Sequence, residues 1–143
     1  MKSKKKRLID KLDKVFSHYI RIRDRISNDQ SMCVTCGAIH NWKGSNKLDC
    51  GHFQSRRHLS TRWHEKNASA QCVRCNRYGS GEQYKFGLAI DSKYGKGTAD
   101  HLFVLSKRVV KYSEWELQAL IDDYKSRIEK ELKKMNTSLE FKI

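Results

Sequence analysis

Apolar residues at Leu8, Leu12, Val15, Phe16, Tyr19, Ile20 and Ile26 recur in steps of three and four, with a largely basic set of residues between them. That period predicts an amphipathic helix over residues 3–26 with one buried stripe and a basic outer face. Ser27, Asn28 and Asp29 punctuate it. Residues 30–79 carry little helical period. Within them, 47–50 and 68–72 read as two short strands joined by a long polar loop. Ser80 with Gln83 three positions on is a capping-box pattern that opens a helix through Ser92. Gly95 and Gly97 break it, and a further short helix is expected over 98–107. Ser113 with Glu116 is a second capping box. Behind it Leu117, Leu120, Ile121, Tyr124, Ile128 and Leu132 keep helical spacing, so a last helix is expected to Met135, followed by a frayed tail. The order predicts an α+β chain in three parts: a basic helix in 1–29, a compact core in 30–95 and a helical region in 96–143.

The chain has 143 residues, about one domain, and 38% of them are hydrophobic. Thirty Lys and Arg face sixteen Asp and Glu, a net charge of +14. Such an excess on a small domain is the electrostatic footprint of a nucleic-acid binder, with a merely soluble basic protein as the bland alternative. No apolar run approaches the roughly 18 residues that a membrane span requires. The lysine-rich start runs into Leu8-Ile9-Asp10-Lys11, too polar for a signal-peptide core. A cytoplasmic protein without a membrane partner is expected, in a compartment where thiols stay reduced.

Five cysteines, an odd number, argue against a disulfide framework. Four stand as two pairs, Cys33-Val34-Thr35-Cys36 and Cys72-Val73-Arg74-Cys75. Each pair places two sulfurs on one side of a tight turn, and two such turns complete a tetrahedral zinc site. Cys50 lies outside the pairs and reads as a small buried residue. The pairs enclose Asp49-Cys50-Gly51-His52, and the second leads directly into Asn76. Phosphodiester hydrolysis needs a base for water and a cation for the charge on phosphate and leaving oxygen. His52 offers a base that titrates near neutrality. Asp49 and Asn76 offer the hard oxygen ligands that Mg²⁺ or Mn²⁺ takes. On a regular strand Asp49 and His52 point to opposite faces, unless Gly51 bends the chain. Asn76, next to a zinc ligand, would be held by the knuckle rather than by a loose loop.

The order C-x-x-C, D-x-G-H, N, C-x-x-C-N resembles the HNH, or ββα-metal, nuclease module with a four-cysteine zinc brace, as in phage endonuclease VII. More closely, Asp49 to Arg56, Arg62 to Asn67 and Gln71 to Arg77 resemble signatures of the NinG/Rap recombination endonucleases of lambdoid phages, over roughly residues 30–95. The resemblance implies a zinc-braced ββα-metal (HNH) core between flanking helices. It implies His52 as general base, Asp49 and Asn76 as ligands of a catalytic divalent cation, and Asn67 as the residue orienting the loop behind His52. Many HNH proteins place an acid immediately before the histidine; here Gly51 stands there and the acid is Asp49.

Arg56, Arg57, Arg62, Arg74 and Arg77 cluster in sequence around these residues. Guanidinium groups pair with phosphate oxygens and position a nucleic acid without reading its bases. The expected partner is therefore DNA recognised by shape, branched DNA by the resemblance. A resolvase cuts two strands symmetrically, which suggests a homodimer built on the two long terminal helices; the competing reading packs their apolar stripes together within one chain. Two further functional readings stand beside the junction endonuclease. One is a zinc-containing DNA-binding or regulatory protein without catalysis. The other is a sequence-specific homing or restriction nuclease, which ordinarily carries an added recognition domain.

Overall fold

A computed structural model describes the backbone of residues 1–141 and the side chains of residues 1–135. Helix α1 spans Lys4–Arg23, capped by Ser3, whose hydroxyl accepts from the Lys6 N–H. It ends three residues before its expected limit. Asp24 turns the chain there because its carboxylate accepts from the Ala70 N–H at 2.8 Å and from Arg23. Ile26, assigned to the buried stripe by its spacing, is consequently exposed.

Strands β1 (Gln30–Met32) and β2 (Ile39–Asn41) form an antiparallel hairpin that periodicity did not predict. Strands β3 (Asp49–His52) and β4 (Ala68–Gln71) pair antiparallel, Asp49 opposite Gln71 and His52 opposite Ala68. The first of these begins two residues later than expected. Between them lie the single-turn helix α2 (Leu59–Arg62) and a 3₁₀ turn, Glu65–Asn67. A π turn, Arg74–Tyr78, follows β4 and Cys72, holds Cys75, and leads toward α3 (Gln83–Tyr94).

The Ser80 capping box does not form. Ser80 and Glu82 both take positive φ, and Glu82 precedes the helix without a side-chain cap bond. Tertiary contacts set that turn instead: the Gly81 N–H donates to the Cys75 carbonyl, and the Gly81 carbonyl accepts from Gln71 Nε2. The Ser113 box does form. Glu116 N–H donates to Ser113 Oγ at 3.1 Å and Ser113 N–H to Glu116 Oε1 at 3.2 Å. After α4 (Thr98–Ser106), it opens α5, which runs Glu114–Phe141, beyond the Met135 limit that spacing suggested. Of the tail expected to fray, residues 142–143 lie outside the described residues.

Three apolar clusters hold these parts. Leu12, Phe16, Tyr19 and Ile20 of α1 pack against Leu117, Ile121 and Tyr124 of α5, with Trp63 and Ala68 alongside. The stripes on which a dimer contact was expected are thus spent within one chain; their burial removes that argument for a homodimer. Cys33, Leu48, Ala70, Cys72 and Cys75 form a second cluster, and Phe86, Ile90 and Leu102 a third. Helix α1 also packs on β3 and β4, so it sits between α5 and the small sheet. No helix among the described residues is long and apolar enough to cross a membrane.

Candidate nuclease cleft and metal centre

The sulfurs of Cys33, Cys36, Cys72 and Cys75 all lie within 4.8 Å of one another. Zn–S bonds of about 2.3 Å in a tetrahedron put sulfurs about 3.8 Å apart. The Cys36 and Cys72 sulfurs stand at 3.7 Å. The turn of the β1–β2 hairpin presents the first pair, and the end of β4 with the following π turn presents the second. Burial opposes ionisation of the Cys33 thiol, but the Cys72 backbone and the Thr35 hydroxyl outweigh it and draw the group down to about 6. Cys72 is pushed up to about 12, by burial first and then by its sulfur neighbours. Four thiolates so close are compatible only with a shared cation, and the all-sulfur donor set fits zinc. Cys50 is separate: burial pushes its thiol up to about 12.

Helix α1 packs against β3, which among the described residues pairs with β4 alone. A cleft of about 580 Å³ runs there, lined by Ser17, Arg21, Asp49, Cys50, His52, Ser55, Arg56, Asn76 and Arg77. Asp49 and His52 therefore share one cleft despite their opposite places in the strand's alternation. Asn76 reaches it because its N–H donates to the Cys72 carbonyl at 2.9 Å, which ties the residue to the metal knuckle. Its side chain then meets Asp49, Asn76 Nδ2 donating to Asp49 Oδ2 at 3.0 Å. A carboxylate only accepts, so the amide group faces it and Asn76 Oδ1 stays available as a ligand. Arg77 caps the same carboxylate with two bonds of 3.0 Å.

His52 Nε2 stands 2.9 Å from the carbonyl oxygen of Arg62. A carbonyl cannot donate, so Nε2 carries the hydrogen and Nδ1 keeps the lone pair. Burial is the main force lowering the His52 pKa below its ordinary value; the Arg62 carbonyl opposes it, and the charge of Arg56 adds to it. The lowered value favours the neutral ring, the form that a general base requires.

At Gly51 the packing leaves no room for a side chain. A Cβ on Gly51 would lie 2.3 Å from Gln71 Oε1 and 2.9 Å from Gln71 Cβ. Gln71 is fully buried and fixed through Nε2 to Thr35 and Gly81. Asp49, two residues earlier in the strand, keeps the same face.

Asn67 is fully buried behind the cleft. Its Oδ1 accepts from the Gln54 N–H at 2.8 Å, and its Nδ2 donates to the carbonyls of Gln54 and Thr61 at 3.0 Å each. It ties the exit of β3 to α2, the helix whose last residue supplies the carbonyl for His52.

The five arginines singled out by sequence do not form one surface. Arg56 and Arg77 line the cleft. Arg57 lines a separate depression with Lys107 and Arg108 of the α4–α5 connection. Arg74 is exposed beside the cysteines, with Cys36 raising its pKa. Arg62 is engaged within the chain: Nε and Nη2 grip the Asp13 carboxylate at 3.0 and 2.6 Å, and Nη1 donates to the Arg56 carbonyl at 3.0 Å. Asp13 also accepts from Trp63 Nε1 at 2.9 Å. That pair pins the Arg62 backbone, and hence the carbonyl facing His52. Asp13→Ala strands a largely buried guanidinium and an indole N–H, so it is expected to lower stability by about 2–4 kcal/mol, read from the denaturation midpoint. Sequence reasoning missed Ser17 and Arg21, which reach the cleft from α1. Their i, i+4 spacing on one helix face was the available signal.

The sequence profile described as Bacteriophage Lambda NinG protein matches residues 1–136. Protein ninG of Escherichia phage lambda is 29% identical over 85 residues, 59% of this chain and 38% of that protein. The chain thus matches well under half the length of that curated relative. No solved structure matches the chain. With residues 1–136 matched, and with the cysteine pairs and the Asp49–His52 segment inside that stretch, the chain belongs to the bacteriophage lambda NinG family.

Proposed function

We propose that the chain is a metal-dependent DNA endonuclease of the HNH class, acting on branched or recombining DNA. The convergence of His52, Asp49 and Asn76 on one cleft walled by arginines carries this reading. In it the four cysteines hold a structural zinc, and β3, β4 and the π turn correspond to the two strands and the following helical segment of the ββα-metal module.

A divalent cation held by Asp49 and Asn76 Oδ1 supplies charge stabilisation at the phosphate and the leaving oxygen. The remaining chemistry belongs to the side chains. His52 Nδ1 takes the proton of the attacking water, and the Arg62 carbonyl stabilises the imidazolium that forms. Arg77 would have to leave the Asp49 carboxylate before Asp49 could hold a cation. Its exposed side chain leaves it free to swing onto a phosphate oxygen, so one guanidinium serves both states. Arg56 adds positive charge at the mouth. In this reading these groups contact phosphates rather than base edges, which favours recognition of DNA shape. A non-catalytic zinc-containing DNA binder would need the cysteines and arginines, but not a neutral imidazole facing a carboxylate–amide pair. A dimer that places two clefts on a symmetric junction would use a surface other than the buried α1 and α5 stripes.

The test is cleavage of linear duplex, flap and four-way-junction DNA with Mg²⁺ or Mn²⁺. The control omits added divalent cation rather than chelating it, which spares the sulfur-bound zinc. Cation-dependent cutting, fastest on a branched substrate, is expected. Binding to all three without cutting any would replace this reading with the non-catalytic one.

A further inference from the structure

The basic helix α1 was expected to contribute bulk charge and packing. One of its arginines behaves differently from its neighbours. Arg23 pairs with Asp24, Arg25 with Glu131 and Arg62 with Asp13. Arg21 has no carboxylate within ion-pair distance among the described residues, although it is half-buried and burial lowers its pKa. Its only described side-chain bond runs from Nε to the Trp42 carbonyl, at 3.2 Å. That bond fixes the stem and leaves the two Nη groups for the cleft that Arg21 lines with Asp49, His52 and Asn76. Trp42 is itself anchored, its Nε1 donating to the Asn28 carbonyl at 2.6 Å.

A guanidinium taken partly out of water loses hydration, and stability alone would favour giving it a carboxylate. Here the nearest carboxylate in the cleft, Asp49, is already taken by Arg77 and Asn76. The cleft therefore holds three guanidinium groups, from Arg21, Arg56 and Arg77, against one carboxylate, with a neutral imidazole. Its charge calls for an anion, and a planar fork with two free nitrogens suits two oxygens of one phosphate.

We infer that Arg21 of the N-terminal helix is a phosphate-binding residue of this cleft, gripping a DNA backbone phosphate through its two Nη groups. The site is thus composite, built by α1 as well as by the cysteine-braced core. The hydroxyl of Ser17, one turn earlier, borders the same wall. This inference rests on the reading of the cleft as a phosphodiester site, but it concerns binding and is measurable without cleavage.

The experiment compares wild type with Arg21→Gln and Arg21→Lys, using a fluorescein-labelled four-way DNA junction in buffer without added divalent cation. Anisotropy is followed across a salt series, with zinc content and thermal melting as folding controls. Arg21→Gln is expected to bind roughly tenfold more weakly, and its slope of log affinity on log salt is expected to fall by about 0.9, the loss of one phosphate contact. Arg21→Lys keeps the charge without the fork, so the wild-type slope with several-fold weaker binding is expected. A folded Arg21→Gln with unchanged affinity and slope overturns the inference. Should that variant fail to fold, wild-type affinity in Arg21→Lys overturns it equally. If wild type cuts no DNA while the Arg21 effect on binding stands, the endonuclease reading falls and the phosphate site remains. If wild type cuts and the Arg21 variants bind as it does, the reverse holds.

Discussion

His52→Ala is expected to slow cation-dependent DNA cleavage by about 10²–10⁴-fold, the ordinary contribution of a positioned general base. Junction affinity and zinc content should stay at wild-type levels, because His52 touches neither the sulfur cluster nor the arginine forks. The loss should appear in kcat rather than KM, since proton removal belongs to the transition state and not to substrate binding. The same assignment fixes a pH dependence. Burial holds His52 below its ordinary value of 6.5, which favours the neutral ring in the folded chain. Cleavage carried by neutral Nδ1 should therefore persist to lower pH than an ordinary imidazole would allow and decline as pH falls through the lowered value. His52→Gln retains a donor toward the Arg62 carbonyl but has no basic nitrogen, so it separates packing from chemistry. Cutting by either variant at the parental rate would place the base elsewhere.

What made His52 stand out in the sequence is that the pattern around it is local. The histidine, the carboxylate three residues before it and the cysteine pairs on either side are short-range patterns with physical requirements of their own. The Ser113 capping box is legible for the same reason, since both its hydrogen bonds close within four residues. The Ser80 box has identical spacing and fails, because the fixed Gln71 side chain and the Cys75 carbonyl claim Gly81. Local propensity loses where a buried residue makes the competing bond.

The hairpin β1–β2 escaped notice for a different reason. Its strands are three residues long, and Met32 and Ile39 face solvent, so neither alternation nor an apolar run marks them. The arginines show the limit of sequence proximity. Arg56 and Arg57 are adjacent yet line different depressions, and Arg62 is consumed by Asp13, forty-nine positions away. The i, i+4 spacing of Ser17 and Arg21 places them on one helix face but does not by itself distinguish Arg21 in a helix rich in basic residues. Only the position of α1 against β3 shows which of its charges enters the cleft. The two long stripes likewise predicted burial for most of their positions, Ile26 and Leu132 excepted, but not against what, since an apolar face has the same composition whether it meets another chain or its own.

Cys72→Ser is expected to abolish stoichiometric zinc and the cooperative melting of the central segment. Structural zinc sites contribute on the order of 10 kcal/mol in small peptides, comparable to the whole stability of a domain, about 5–15 kcal/mol. The cluster around the sulfurs contains, besides cysteines, only Leu48 and two alanines, far too little apolar area to substitute. The consequences follow the chain outward. Cys72 directly follows β4, and its carbonyl holds the Asn76 N–H. Release of the knuckle frees Asn76 from Asp49 and loosens the strand paired with the one bearing Asp49 and His52. The α1–α5 contact rests on Leu12, Phe16, Ile20, Leu117 and Ile121, none of which touches a cysteine cluster, so far-UV helical signal should largely persist. Metal analysis, far-UV circular dichroism and melting of the variant check this, with wild type stripped by a strong chelator as the matching control. A serine variant that melts cooperatively at the parental temperature without bound zinc would show that the four sulfurs are not the brace, and would detach the cleft's geometry from any metal.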